Sequence, residues 1–263
     1  VLVDLLEGNY QKHVWPGIVR TAEAHDCNLI VFSGKDDGSP YKNYYQYDIG
    51  YRFISNKKID GLVSLASMFL NYFGSDGLLE FVRNMGSLPI VHVGVKVKEE
   101  TSVVLDNKLG IVEAVNHLIN VHKHRKIAFI KGPDGNQEST ERLDGYIDAH
   151  KKNNISVNSN LIASGNFLSG SGSEAIRLLV DERKAEFNAI VASNDEMAIG
   201  AYNALRERGI NVPGDVAIIG FDNTDVAIHR IPSFTTVNAS ISEQAETATR
   251  LLINKLKGEE VPE

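Results

Sequence analysis

Polar residues set directly behind apolar runs are the groups in this sequence best placed to do chemistry. Asn194 and Asp195 follow AIVAS, Asp222 and Asn223 follow VAIIGF, and Asp106 follows TSVVL. Arg142 ends the loop GPDGNQESTER behind IAFIK, and Asn9 and Tyr10 come soon after VLVDLL. In an open α/β sheet, loops converge at the carboxyl ends of the strands and helix amino termini present free N–H groups there. Residues of these types at such ends suit recognition of a small polar molecule better than bond making. The Asn194 carboxamide offers donors and an acceptor to a hydroxyl-rich ligand, and the planar fork of Arg142 can hold a vicinal diol or a carboxylate through two bonds. Tyr10, Trp15 and Phe167 offer faces for a sugar ring, although single aromatics more often belong to a core.

Each candidate also has a purely structural reading. Ser193-Asn194-Asp195-Glu196 fits a capping box in which Ser193 caps a helix and Glu196 reaches back to the Ser193 N–H. Asp195 in the first turn would then complement the helix dipole, which leaves Asn194 to meet a ligand. Asp222 and Asn223 suit a turn as well as a site, and Asp106 suits an N-cap equally. The alternative for Arg142 is a solvated surface arginine. What favours Asp222 is its place behind an apolar strand, where the chain is expected to cross between lobes and the side chain to face the cleft.

Catalytic patterns are weaker. No G-x-S-x-G elbow is present, and the 8 histidines show no metal spacing beyond His122-Lys123-His124, in a charged stretch expected to face solvent. The expectation is therefore no catalytic residue, no metal and no cofactor. One competing pattern is Gly170-Ser171-Gly172-Ser173-Glu174-Ala175, which opens a helix as G-x-G-x-x-A and would, in a minority reading, mark a nicotinamide-dependent dehydrogenase. The preceding LIASGNFLS is short and broken by Gly165, which argues against the tight strand-to-glycine turn that a pyrophosphate needs.

The elements that must position these residues follow from hydrophobic periodicity. Short apolar runs predict strands at Val1 to Leu5, Asn28 to Phe32, Gly61 to Leu65, Ile90 to Gly94, Ile127 to Lys131, Leu161 to Ser164, Ala189 to Ala192 and Val216 to Phe221. Apolar residues three and four apart predict helices at His13 to His25, Lys108 to Val121, Thr140 to Lys152, Ser173 to Arg183, Glu196 to Arg208 and Ser242 to Lys257. So many βα units exceed one ordinary sheet, so the expected class is α/β with two doubly wound parallel-sheet lobes. The charged link Val121 to Lys126 is the expected boundary. It gives an N-terminal lobe of residues 1–122 plus about 238–263 and a C-terminal lobe of 123–237, with a second crossing near Phe221 to Ser233. The cluster Tyr41, Tyr44, Tyr45, Tyr47 and Tyr51 would suit a subunit interface or ligand stacking.

With 43% apolar and 23% charged residues the chain reads as a folded globular protein. A net charge of -7 without a basic stripe argues against nucleic-acid contact by these residues themselves. The single Cys27 cannot form an internal disulfide, and no run approaches the ~20 apolar residues of a membrane span, so a cytoplasmic location is expected.

The ordered set VVLDN, HRKIAFIKGPDGNQESTERLDGY, FNAIVASNDEMAIGAYNALRERGINVPGDVAIIGFDNT and PSFTTV resembles the effector-binding core of the LacI (lactose and purine repressor) family, with a type I periplasmic binding protein-like fold. The resemblance runs from Val1 to Glu263. It implies two lobes joined by a multi-strand hinge, with ligand contacts at Asp106, Arg142, Asn194 and Asp222 and a ring-packing aromatic at Phe167. A neutral sugar or polyol is implied as the effector, bound in the inter-lobe cleft, and Asn9 and Tyr10, from their place behind the first strand, are expected to contribute from the first lobe. It also implies a homodimer through the N-terminal lobes and DNA contact only through a helix-turn-helix that would precede Val1. The segments GPDGNQESTER and SISEQAETA are similar to versions of this domain on diguanylate cyclases or histidine kinases, so a sensor of that kind and a free solute-binding protein stand as alternatives.

Overall fold

The structure is a computed structural model that describes residues 1–3, 8–33, 54, 58–67, 80, 88–229 and 233–262. The tyrosines at 41, 44, 45, 47 and 51 and the far end of the expected first strand lie outside the described residues. The chain begins with β1 (Leu2–Val3), α1 (Asn9–Ala24), β2 (Phe32–Ser33), β3 (Leu62–Ser64), β4 (Ile90–Val93) and β5 (Thr101–Val103). It continues through α2 (Asn107–Asn120), β6 (Ile127–Lys131), α3 (Gln137–Lys152), β7 (Ile162–Ser164), α4 (Ser169–Ile176) and β8 (Ala189–Ala192). It closes with α5 (Asp195–Glu207), β9 (Ala217–Asp222), the short α6 (Asp225–Ile228), β10 (Thr235–Asn238) and α7 (Ile241–Leu256). Helix α4 runs on into a π-helical stretch, Arg177–Glu182. Among the described residues no helix is long and apolar enough to cross a membrane.

Contacts divide the chain into Val1–Leu105 with Ser240–Glu263, and Asp106–Ala239. Each unit holds a five-stranded sheet, in the order β2-β1-β3-β4-β5 in the first and β10-β9-β8-β6-β7 in the second, with every pairing parallel. Numbered within its own unit, each sheet has the same 2-1-3-4-5 order, the doubly wound arrangement expected from the alternation. The unit boundary falls at Leu105 and Asp106, not in the charged link Val121 to Lys126. Helix α2 accounts for the difference: it packs on α3, β8 and β10 in the second unit. Its Gly110 leaves no room for a Cβ against Phe221 and Val237. The charges of the link mark an exposed loop inside that unit.

Two strands fall outside the eight expected. Strands β5 and β10 lie at sheet edges, and their residues are mostly half-buried or exposed, so neither forms an apolar run. Strands β6 and β8, covered on both faces, have the expected bounds. On one face of the second sheet Ala128, Ile130, Ile190 and Ala192 pack with α4 and α5 residues such as Ile176, Met197 and Leu205. On the other, Phe129 stacks on Tyr146 of α3 at 4.9 Å, and the Tyr146 hydroxyl donates to the Ile127 carbonyl. Of the G-x-G-x-x-A pattern, Gly172 serves this packing together with Gly200 of α5, while Gly170 faces open space. A Cβ on Gly172 would lie 2.1 Å from the Met197 carbonyl oxygen, and one on Gly200 would lie 1.8 Å from that of Ser169. The close approach that a pyrophosphate would require of Gly172 is taken by α5.

In the first unit, α7 packs on α1, β3, β4 and β5. Leu62 and Ile90 pair across β3 and β4 and join the core, so Ser64 and His92, the next pair on that face, are carried inside with them. Among the described residues neither ring nitrogen of His92 nor the Ser64 hydroxyl has a hydrogen-bond partner. Burial, helped by the nearby Lys255 ammonium, pushes His92 down from 6.5 to about 4. A folded pKa below the unfolded one means that the unfolded chain takes up the proton first. Stability conferred by the neutral ring is whole above about pH 6.5 and is lost as pH falls towards 4, by roughly 3 kcal/mol over the window. Urea denaturation at pH 7 and pH 4.5 checks this: the acid-induced loss should shrink by roughly 2 kcal/mol in His92→Leu.

Candidate functional site

In the second unit the chain turns one way from β6 to β7 and the other way to β8, so the crevice of a doubly wound sheet lies at the carboxyl ends of β6 and β8. Gly132 leaves β6 there, and Ser193-Asn194 leaves β8. The Phe167 ring lies over Gly132, where a Cβ would come within 2.4 Å of it. Phe167 has φ 67, a left-handed conformation unusual for a bulky residue. Asn194 holds that loop in place: its Nδ2 donates to the Phe167 carbonyl at 2.9 Å. Its Oδ1 accepts from the Met197 N–H at 3.0 Å, which makes Asn194 the N-cap of α5.

This corrects the expected division of labour in ASNDE. The Ser193 N–H donates to the Ile130 carbonyl within the sheet and is not free for Glu196. The Ser193 hydroxyl is buried without a partner among the described residues, and the capping register starts one residue later. Asp195 supports more than a dipole. Fully buried, it accepts from the Thr224 N–H and hydroxyl at 2.8 and 2.9 Å and from the Thr236 hydroxyl at 2.6 Å, fastening the start of α5 to β10 and to the segment after β9. Burial nevertheless raises its pKa.

Arg142, on α3, is 5% exposed and is no surface arginine. Its Nε donates to Asn107 Oδ1 at 2.8 Å, Nη1 to the Ser193 carbonyl at 2.6 Å and Nη2 to Glu138 Oε1 at 3.3 Å. The guanidinium lies 4.0 Å from the centre of the Phe221 ring and 5.8 Å from that of Phe167, within cation–π range of both. Asp222, buried at the end of β9 with φ 111, has its pKa raised well above the usual carboxylate value by burial. Arg142 opposes that rise, while Asp195, Glu138 and Glu196 add to it.

The structure thus brings Arg142, Phe167, Asn194 and Asp222 together in one unit. Asp106 is exposed and caps α2, its Oδ1 accepting from the Leu109 N–H at 2.8 Å. Its neighbour Asn107, 1% exposed and bonded to both Arg142 and Glu141, is the residue of VVLDN that reaches the site; the sequence offers no sign of that beyond the Asp-Asn pair itself. Asn9 and Tyr10 open α1 in the first unit behind Gly8 and are half-buried. Cavities of about 620 and 390 Å³ in the second unit open at the amino ends of its strands, away from this constellation. Among the described residues no group of three or more His, Cys, Asp and Glu side chains is placed to hold a metal ion.

Two outcomes follow. Asn194→Ala should lower stability by about 1–2 kcal/mol through loss of the cap, whereas Ser193→Ala, which removes a buried hydroxyl without a partner among the described residues, should not lower it. Chemical denaturation of the two variants decides between the cap registers. Asp222 gives the opposite pH slope to His92. Its folded pKa is raised, so the folded state holds the proton more tightly, and stability declines as pH rises from about 4 through the folded value. Asp222→Asn should remove that decline, read as flatter denaturation midpoints between pH 5 and pH 8.

Residues 115–263 match the family described as a periplasmic binding protein-like domain. The chain is 33% identical over 256 residues to the HTH-type transcriptional regulator AscG of Escherichia coli K12, across 97% of this chain and 72% of that protein. It is 32% identical over 245 residues to the HTH-type transcriptional repressor CytR of the same strain, across 93% and 68%. Among solved structures, the transcriptional regulator CelR–cellobiose complex superposes with a TM-score of 0.84 at 26% identity, over 99% of this chain and 78% of that one. The chain belongs to the LacI-type effector-binding domains with a periplasmic binding protein-like fold.

Proposed function

We propose that the chain is the sensing domain of a LacI-type transcription regulator, and that its second unit binds a neutral sugar or similar polyhydroxylated molecule at the carboxyl edge of the sheet. The observation that carries this reading is the buried Arg142, held over the Phe221 ring beside Phe167 and Asp222 at the end of a doubly wound sheet. Acids outnumber the cation: Asp195, Asp222, Glu138 and Glu196 share the field of one arginine. An anionic ligand would bring charge into a site where burial already disfavours ionising Asp195 and Asp222, whereas hydroxyls can pair with the carboxyl groups and accept from the guanidinium. Phe167 offers the ring face that a pyranose packs on. A relative's complex with cellobiose supports the choice of ligand class.

The bonds of Arg142 indicate how a ligand enters. The contact to Glu138, at 3.3 Å, is the longest of its hydrogen bonds and the easiest to exchange for a ligand hydroxyl. The bonds to Asn107 and the Ser193 carbonyl keep the guanidinium in place meanwhile. DNA contact belongs to the helix-turn-helix that the relatives' names carry, and a homodimer through the N-terminal unit relays the bound state.

Substitution of Arg142 or Asn194 would not test the site cleanly. Arg142→Ala leaves buried partners unpaired, at a cost of about 3–5 kcal/mol, and Asn194→Ala removes a helix cap. Phe167→Ala and Asp222→Asn spare those supports. A thermal-shift screen of neutral mono- and disaccharides, cellobiose included, should give a hit, and calorimetry should find it weakened about tenfold or more by each of these two variants. A confirmed sugar whose affinity is unchanged in both folded variants would place its binding elsewhere.

A further inference from the structure

Three imidazoles line the cavity of about 390 Å³ at the amino ends of β9 and β10: His117 in the last turn of α2, and His122 and His124 in the loop after it. The proposed sugar site uses none of them. The Nε2 atoms of His117 and His122 lie 3.1 Å apart, and their ring centres 4.8 Å apart with the planes at 74°. Two imidazoles sharing a linear N–H···N bond of that length would hold their ring centres roughly 5.4 Å apart. Two imidazoles bound to one ion through bonds of about 2.0–2.1 Å, at an angle of about 100°, place the nitrogens about 3.1 Å and the ring centres roughly 4.8 Å apart. The two distances match rings that share an ion better than rings joined by a linear N–H···N bond.

Local backbone geometry produces this approach. The Val121 N–H closes on the His117 carbonyl at 3.0 Å and ends α2. Lys123, at φ 62, turns the chain back so that the His124 N–H reaches the Leu118 carbonyl at 3.0 Å. His122 is thereby folded over His117, five residues behind it, and both rings stay exposed. We propose that His117 and His122 form a two-imidazole chelate for a divalent transition-metal ion of the Zn2+, Ni2+ or Cu2+ class, its remaining positions filled by water in the cavity. The carbonyl end of α2 favours a cation there. The Lys123 ammonium, bonded to the Asn120 carbonyl at 2.6 Å, already supplies one and opposes a second. Affinity must therefore come from nitrogen–metal bonds, which excludes Mg2+ and Ca2+, ions that prefer oxygen. The ring of His124, its centre 6.1 Å from that of His122, stands outside the chelate.

Isothermal titration of the untagged chain with Zn2+ and with Ni2+ tests the site. The expected result is saturable one-to-one binding of at least one of them, none of Mg2+, and unchanged binding in the control His25→Gln. His117→Gln and His122→Gln should each weaken binding by at least the about tenfold that even an outer-shell loss costs. Both rings are exposed, so melting curves of these variants should match the unaltered chain. Absence of saturable binding of either metal, or binding that survives both substitutions, overturns the proposal.

Discussion

The buried carboxylate of Asp195 is the constraint on which the second unit's polar edge depends. It sits at the first turn of α5 yet bonds to Thr224 and Thr236, so the end of β8, the segment behind β9 and the edge strand β10 share one acceptor group. Gly220 must lack a side chain because a Cβ there would lie 2.2 Å from Asp195 Oδ1. With that approach fixed, Phe221 and Asp222 reach the strand end at a set position, and the Phe221 ring becomes the floor under Arg142. Desolvation alone would favour neutralising Asp195, and the hydroxyl and amide donors act against it. Scaffold and site are joined here by the same atoms.

Arg142 shows the same double commitment from the other side. Its three donor positions tie α2 through Asn107, the β8 terminus through the Ser193 carbonyl, and its own helix through Glu138. A guanidinium so held would lose little freedom to a ligand at the proposed site. The strained backbone at Phe167 and Asp222, both at positive φ, flanks this cation. Strain of this kind persists only where the surroundings over-determine it, and Asn194 supplies one of those constraints by holding the Phe167 carbonyl.

How far the sequence discloses this depends on what physically sets each feature. Strands β6 and β8 were legible to the residue because burial on both faces leaves an unbroken apolar run. Strands β5 and β10 were not, because their residues are mostly half-buried or exposed and form no apolar run. The helix start at ASNDE was legible, but its register was not. Ser, Asn and Asp are all good caps, and the choice falls on Asn194 because a distant partner, the Ile130 carbonyl, already takes the Ser193 N–H. Asn194 and Asp222 stand at the strand ends the sequence predicts, and Arg142 on α3 and Phe167 in the loop after β7 join them, whereas Asn107 enters only because α2 packs in the second unit and not the first. Charge in Val121 to Lys126 reported exposure, which a surface loop and a domain link share.

The two sheets have one topology but unequal edges, and the proposed site stands at the second. Where β3 ends in the first unit, Leu65 and Ala66 are buried and Ser64 and His92 are drawn into the core without partners. Where β8 ends in the second, Arg142, Asn194 and Asp195 each hold two or more partners, and among the described residues the Ser193 hydroxyl has none. An unpartnered buried polar group costs stability wherever it stands, so a sheet edge can collect many polar residues only if they satisfy one another. The network around Asp195, Asn194 and Arg142 meets that condition, and it is what allows a charged and strained strand end to exist on a sheet that is otherwise apolar.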